Sequence, residues 1–436
     1  MLLCAFAFVS ATAVMAGNNP TDPGPRAGNA GAGGPMANLT VKEGKFFDAG
    51  LDEFEEVQSV TGSIPDTEEG LGPRFNSNSC VSCHAHPAVG GTSPPVNPQV
   101  SVGPPNEVLT LTTLGIISPN GPVREVRFQS DGGVHDLFTI TGLTGTPADC
   151  QIVQPPFGEH LAELRFRIPT PLFGLGLIEA IEDATILKNE GPKQLGINGV
   201  ANRNGNDGTV TRYGWKAQNK SLVIFSGEAY NVEQGVTNEL FPDERGEGGV
   251  PDSEKCRRIR PAPQDLVNYD LTQPQQVIDN VNAFANFMRF LAAPVQVSSY
   301  TGVTQLQIAA GETAFNKAGC NICHVKTMMS GRHVTAALAN KPVNLFSDLL
   351  LHNMGTGDGI SQGGANGDQF RTAPLWGVGQ RLFFLHDGRF SNIVDAIKAH
   401  TGEATEVIKN FSGASGASAP LSATESQNLV NFLRSL

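Results

Sequence analysis

Apolar residues recur along this chain at two different spacings. Over Val277–Ala292 (VIDNVNAFANFMRFLA), Thr304–Phe315 and Ser422–Leu436 they return every three to four positions, which predicts helices with one buried face. Between Glu107 and Ala148 the segments LTLTTLGII, VREVRF and HDLFTITG alternate apolar with polar residues between turn signals, which predicts a small β-hairpin insertion. Met1 to Ala16 are nearly all apolar or small, and a Gly/Pro/Asn-rich tract with almost no apolar pattern follows. That order predicts a secretory signal peptide over 1–16 and a disordered tail over 17–40, although no Lys or Arg precedes Arg26. Beyond it no run of eighteen apolar residues occurs, so no membrane span is expected.

The 436 residues exceed what one core usually organises, so two domains are expected. The sequence supports this with an internal repeat. Phe75-Asn76, three residues and CVSCH return as Phe315-Asn316, three residues and CNICH. Downstream, RIPTPLFGLG (167–176) is echoed by RTAPLWGVG (371–379), with Pro171 matching Pro374 and both glycines kept. The boundary is placed near residue 270, after the Pro-containing RIRPAPQD stretch.

The repeated unit carries the chemistry. Cysteines at i and i+3 can each form a thioether to a haem vinyl group, and the adjoining histidine then reaches the iron. Chance gives on the order of 0.002 CxxCH matches in such a chain, and two are present. Zinc would need two such pairs folded around one ion, yet these lie far apart at 80–84 and 320–324. Two covalent c-type haems are therefore expected, one on Cys80, Cys83 and His84, the other on Cys320, Cys323 and His324. Of the seven cysteines, Cys4 falls in the signal, and Cys150 and Cys256 are left as a pair that an oxidising compartment could join or leave free. The formal charge of −12 makes nucleic acid an improbable partner and suits a basic redox protein better.

With LGPRFNSNSCVSCHAHPAVGGTSP, RIPTPLFGLGLIEAI, RYGWKAQNKSLVIFSGEAYNVEQGVTNELFP and FRTAPLWGVGQRLFFLHDGR in view, the chain from about residue 40 onward resembles the bacterial dihaem oxidoreductases, described as peroxidases or thiol oxidoreductases. Its second half also resembles the dihaem cytochrome c peroxidases. The resemblance implies a mainly α fold of two cytochrome c-like haem domains, 41–270 and 271–436, with the small β insertion in the first. It further implies a periplasmic enzyme in which haem 2 receives electrons from a small redox protein and haem 1 acts on a peroxide-like substrate. A dihaem electron carrier and an oxidase of thiols or other small reductants are the alternatives.

Several residues follow from the resemblance. In the peroxidases a histidine in a loop like Phe384-Leu385-His386-Asp387-Gly388-Arg389 is followed fourteen positions later by the distal ligand of the electron-entry haem. Here that position is His400, where the peroxidases carry methionine, so haem 2 is expected to be ligated by His324 and His400, with Met354 as rival. A second imidazole in place of a thioether lowers the potential. For haem 1, Glu179, which follows the Pro171–Gly176 turn, and His135, in a turn before a strand, are the expected proton-handling groups. Trp215 is the candidate relay between haems, with Trp376 as its rival. Arg371, Arg389 and Lys216 are candidates to neutralise propionates, and His86 is expected to meet a propionate or solvent. The related peroxidases hold calcium between modules, and Asn238 and Glu239 are oxygen donors too weakly patterned to assign one here.

Overall fold

The computed structural model describes residues 18–246, 254–256, 263–265, 279–355 and 357–436. The signal-peptide segment and the boundary near residue 270 lie outside these residues. The fold is helix-rich, with small two- and three-stranded sheets.

The helices that shape the site are α1 (Val41–Glu55), α2 (Cys80–Cys83), α3 (Pro105–Thr113), α4 (Leu175–Glu179), α5 (Leu222–Gln234), α6 (Asn280–Phe290), α7 (Gln305–Ala318), α8 (Ile393–Lys398), α9 (Thr405–Ser412) and α10 (Ala423–Ser435). Their starts are written locally. Thr40 with Glu43, Thr304 with Gln307 and Ser422 with Glu425 form capping boxes that satisfy the first free N–H groups of α1, α7 and α10.

The sequence repeat is repeated in space. Helix α1 lies against α6 so closely that a Cβ on Gly50 would sit 2.3 Å from the Ala283 carbonyl, and α7 lies against α10 with Gly311 facing the Asn428 carbonyl in the same way, at 1.9 Å. Phe54 and Phe315 then stand 6.0 and 6.2 Å from the rings of His84 and His324, at angles of 58° and 55°. Phe287 and Phe432 back them from the partner helix at 4.5 and 5.5 Å. The carbonyls of Arg289 and Arg434 meet Gly176 and Gly379, which are the glycines matched in sequence. Helix α6 therefore belongs with α1 in packing, whereas a boundary near 270 assigns it to the second unit. The reason is tertiary: α6 completes the first core with Phe47, Phe54 and Leu172, while α10 completes the second with Ile308, Phe315 and Phe411.

Two further expectations are revised. LTLTTLGII is helical at its start, as α3, with Leu111 fully buried and Leu109 exposed. Pro105 at the first turn and Glu107 near the N-terminus favour a helix over the strand that alternation suggests. VREVRF forms β1 (Glu125–Phe128), paired antiparallel to β2 (Val134–His135) and to β3 (Leu164–Arg167), whereas HDLFTITG does not run as one strand: His135 ends β2, and Phe138–Thr139 pairs instead with Arg74–Phe75. This sheet packs over Leu111, Phe138 and Phe157, and a disulfide joins Cys150 to Cys256 in the same core.

The tract over 17–40, expected to be disordered, is fastened along its described length. Asn18 bonds Leu421, Asp22 pairs with Arg434 at 2.7 Å, Arg26 N–H donates to Gly379 and Gln380 donates to Gly28. Both members of the Asp22–Arg434 pair are buried. Lacking helical periodicity, the segment is held by polar contacts with α10 and the Gly379 turn, and by Met36, which is buried against Ala180 and Leu338.

Candidate functional site

Each CxxCH segment opens onto its own cavity. Cys80, Cys83 and His84 line the first, and Cys320, Cys323 and His324 line the second. Burial pushes the Cys83 thiol up to about 11 and the Cys320 thiol up to about 12, so neither is a ready thiolate for dithiol exchange.

The histidines are set for ligation. The His84 ring shares a hydrogen bond at Nδ1 with the Gly91 carbonyl (3.0 Å), and His324 does the same with Phe346 (2.9 Å). Donation from Nδ1 leaves Nε2 as the free lone pair. His400, at the end of α8, repeats this pattern through Nδ1 and the Ala396 carbonyl (2.8 Å), and it lines the second cavity with His324. Burial lowers the pKa of all three, to about 4 for His84 and His324, which keeps them neutral as a metal ligand must be. Met354 lines the same cavity, so both expected ligands reach it.

The second cavity also holds guanidinium groups without partners. Arg371 donates its Nε–H to the Gly214 carbonyl and Arg381 its Nε–H to Phe383, but Nη1 of Arg371 and Nη2 of Arg381 are buried with no acceptor among the described residues. Burial lowers both to about 10. Two such cations, a thiol pair and two Nε2 atoms are a donor set that fits a haem with its carboxylates. Arg389 also lines this cavity, paired with Asp387 at 3.3 Å and partly exposed. Lys216 is not free for a propionate, because its ammonium bonds the carbonyls of Asn366, Gly367 and Gln369 and pairs with Asp358 at 3.1 Å.

His386 and Trp215 lie between the cavities. His386 stacks on Phe370 at 4.2 Å and meets Trp215 edge-on at 6.5 Å. Trp215 lines both cavities and is held by its indole N–H on the Ile168 carbonyl at 2.9 Å. Trp376 instead packs in the first core.

Comparison with known proteins adds the lineage. No curated protein matches. The family model described as "Di-haem oxidoreductase, putative peroxidase" matches residues 157–436, more than half of the chain. The chain belongs to this family. Two solved structures are similar in part. Hydrazine synthase of Kuenenia stuttgartiensis, pressurised with xenon, is 15% identical, with 62% of this chain and 88% of that chain covered at a TM-score of 0.25. A MauG-like protein associated with microbial copper homeostasis is 17% identical, with 62% and 90% covered at a TM-score of 0.28. Likeness at these scores carries no argument about fold or chemistry here.

In this di-haem oxidoreductase the cavities differ in what they offer. The second has His324, His400, His352 and His386 in its wall, whereas the first has His84 alone among histidines. Glu179 and His135, the expected groups over the first haem, line neither cavity. Glu179 is paired with Arg289 at 2.7 Å and accepts from the Leu222 N–H, so it ties α4 to α5 and α6. His135 stacks on Phe128 at 3.8 Å and bonds Asp131, within the small sheet. The repeat gives this pair a counterpart: Arg434, which stands in the second unit where Arg289 stands in the first, takes Asp22 of the N-terminal segment as its acid.

The first cavity instead presents Glu125 and Glu233. Glu233 is half-buried, and desolvation together with the nearby charges of Glu125 and Asp136 pushes it up to about 8. Neither residue stands in a motif, and the signal available was an acid placed among apolar positions of α5, in AYNVEQ. A second unforeseen group is His352, clamped between Asp348 and Glu403 at 2.9 Å each and 3.6 Å from the Cys323 sulfur. Burial alone would lower it, but Asp348 and Cys323 reverse that and push it up to about 11. His86 bonds the Gln380 carbonyl at 2.7 Å, joining the two repeats. The Asn238 side-chain oxygen accepts the N–H groups of Leu240 and Phe241, so it closes its own turn.

Proposed function

We propose that this chain is an exported, periplasmic di-haem oxidoreductase of peroxidase type, with haem held through thioethers by Cys80 and Cys83 and by Cys320 and Cys323. The observation that carries this reading is the asymmetry of the cavities: two imidazoles held through Nδ1 with Nε2 left open in the second, one in the first. A bound haem supplies one-electron chemistry and, where its sixth position is open, a place for substrate. His324 and His400 would hold the haem of the second site, with Met354 the rival to His400, and a small redox protein would deliver electrons there. His84 alone would hold the haem of the first, leaving room for a peroxide.

Reduction of hydrogen peroxide to two waters takes two electrons and two protons. Glu233, protonated at neutral pH, holds one proton at the first cavity, and Glu125 is the neighbouring carboxylate that shares the load. These two take the role that the resemblance gave Glu179. Trp215, in the wall of both cavities, lies on the path between them. The second reading, a carrier without substrate chemistry, needs a second strong ligand in the first cavity, where Met288 and Tyr230 are the donors in the wall. Tyr230 bonds Gln58 and Asn280 through its hydroxyl.

EPR and visible spectra of the isolated protein, with and without cyanide, test this. One low-spin and one high-spin haem, the latter binding cyanide, is the expected result. Two low-spin haems inert to cyanide in every redox state would leave electron transfer alone.

A further inference from the structure

Buried cations without anions are costly, so a pair of them in one cavity wall describes its occupant. Arg371, at the end of a strand over Gln369–Arg371, and Arg381, in the turn after Gly379, reach the second cavity from different elements. Each spends one N–H on a carbonyl and each leaves a terminal nitrogen buried with no acceptor. Both side chains are more than nine-tenths buried. The other charged residues of that wall are committed: Arg389 to Asp387, and Glu403 to His352 and to the N–H groups of Asn198 and Asn353. No carboxylate among the described residues answers the two guanidinium groups, so an acidic ligand fits them.

We infer that Arg371 and Arg381 clamp the two propionates of the second haem, and that they turn its propionate edge toward Trp215. The inference rests on the proposed reading of this cavity as a haem site and adds which way the haem faces. The orientation follows from where the pair stands. The Arg381 guanidinium lies over the indole of Trp215 at 5.6 Å, and the Arg371 guanidinium donates to the carbonyl of Gly214, the residue before Trp215, at 3.0 Å. Both cations thus sit beside Trp215, which lines both cavities, and thioethers at Cys320 and Cys323 would hold the edge of the haem that carries no propionate. Electrons leaving the second haem for the first therefore exit through the propionate edge and pass Arg381 and Trp215. A free carboxylate or phosphate would satisfy the same two cations, so the test separates the sources.

The experiment uses the holoprotein and three variants, Arg381→Gln, Arg371→Gln and Arg381→Lys. A pyridine haemochrome spectrum first counts haems per chain; a count of zero sinks the haem reading itself, separately from the clamp. With both haems present, resonance Raman propionate bending modes and the midpoint potential of the second haem are read across neutral pH. The clamp predicts shifted bending modes in both Gln variants, a lower potential that now varies with pH, and recovery in Arg381→Lys. Unshifted modes with an unchanged potential would overturn it and leave the pair to a soluble anion, as would phosphate protection of the wild type without any Raman change. If Arg371→Gln fails to fold, the Arg381 pair of variants decides alone, since Arg381 lies outside any strand.

Discussion

At the scale of single residues, protonation state decides what each group can do. Glu233 has a folded pKa near 8, above the ordinary carboxylate value, so its contribution to stability is complete below about 4.5 and is lost as pH rises through 8. Turnover of peroxide should decline over the same alkaline window, as the acid loses its proton. Glu233→Gln is expected to lower kcat by about 10²-fold and to remove that alkaline limb, which a pH–rate profile would check. A profile unchanged in shape would show that the proton comes from elsewhere. His400 is tested through the second haem: His400→Met should raise its midpoint potential in a redox titration, because a thioether favours the ferrous ion, and His400→Ala should convert it to a high-spin signal. If Met354 is the ligand instead, both variants keep the low-spin spectrum.

At the scale of elements, the repeated helix pairs carry the haem-binding segments on backbone contacts too close for a side chain. Gly311→Ala would force α7 from α10, since the added Cβ meets a carbonyl at 1.9 Å. Denaturant unfolding should show a loss of about 3 kcal/mol. The N-terminal segment makes a second prediction. Removing its acid leaves Arg434 buried and unpaired, so Asp22→Asn should cost about 3 kcal/mol. Arg289, which has Glu179 beside it, gives the matching case in the first unit. An Asp22→Asn protein as stable as the wild type would mean that the segment is dispensable. Capping boxes and helical periodicity made α1, α7 and α10 readable in the sequence. Residues 18–39 were not, because a segment held by polar contacts to distant elements and by isolated apolar anchors such as Met36 has no periodicity of its own.

At the scale of the whole molecule, what matters is the wall between the cavities. Trp215 stands there with His386, Phe370 and Arg381 around it, so Trp215→Phe should slow electron transfer between the haems in stopped-flow reduction while leaving both haem spectra intact. An unchanged rate would route the electrons elsewhere. The disulfide acts in the core beneath the small sheet. Cys150 and Cys256 close a loop with a sequence separation of 106, and losing it in Cys150→Ser/Cys256→Ser should cost about 4 kcal/mol in thermal or denaturant unfolding. The sequence showed two cysteines left over and could not say that they meet.

By itself the sequence determined the chemistry that depends on near neighbours. CxxCH is local because, in the reading proposed here, two thioethers and one imidazole would reach a single haem from one turn of chain, and the matched Phe-Asn and Pro-Leu segments exposed the duplication for the same reason. His400 was legible as a fixed offset from His386 along one stretch. The tertiary structure decided everything that is assembled from distant segments. Glu125 and Glu233 reach the first cavity from a strand and a helix more than a hundred residues apart, while Glu179, on the expected stretch, turns to Arg289. Arg371 is a propionate candidate from sequence, but the terminal nitrogen that it and Arg381 each leave without an acceptor among the described residues is a property of packing alone. Side-chain direction and burial come from how elements lie on one another, and no spacing along the chain records them.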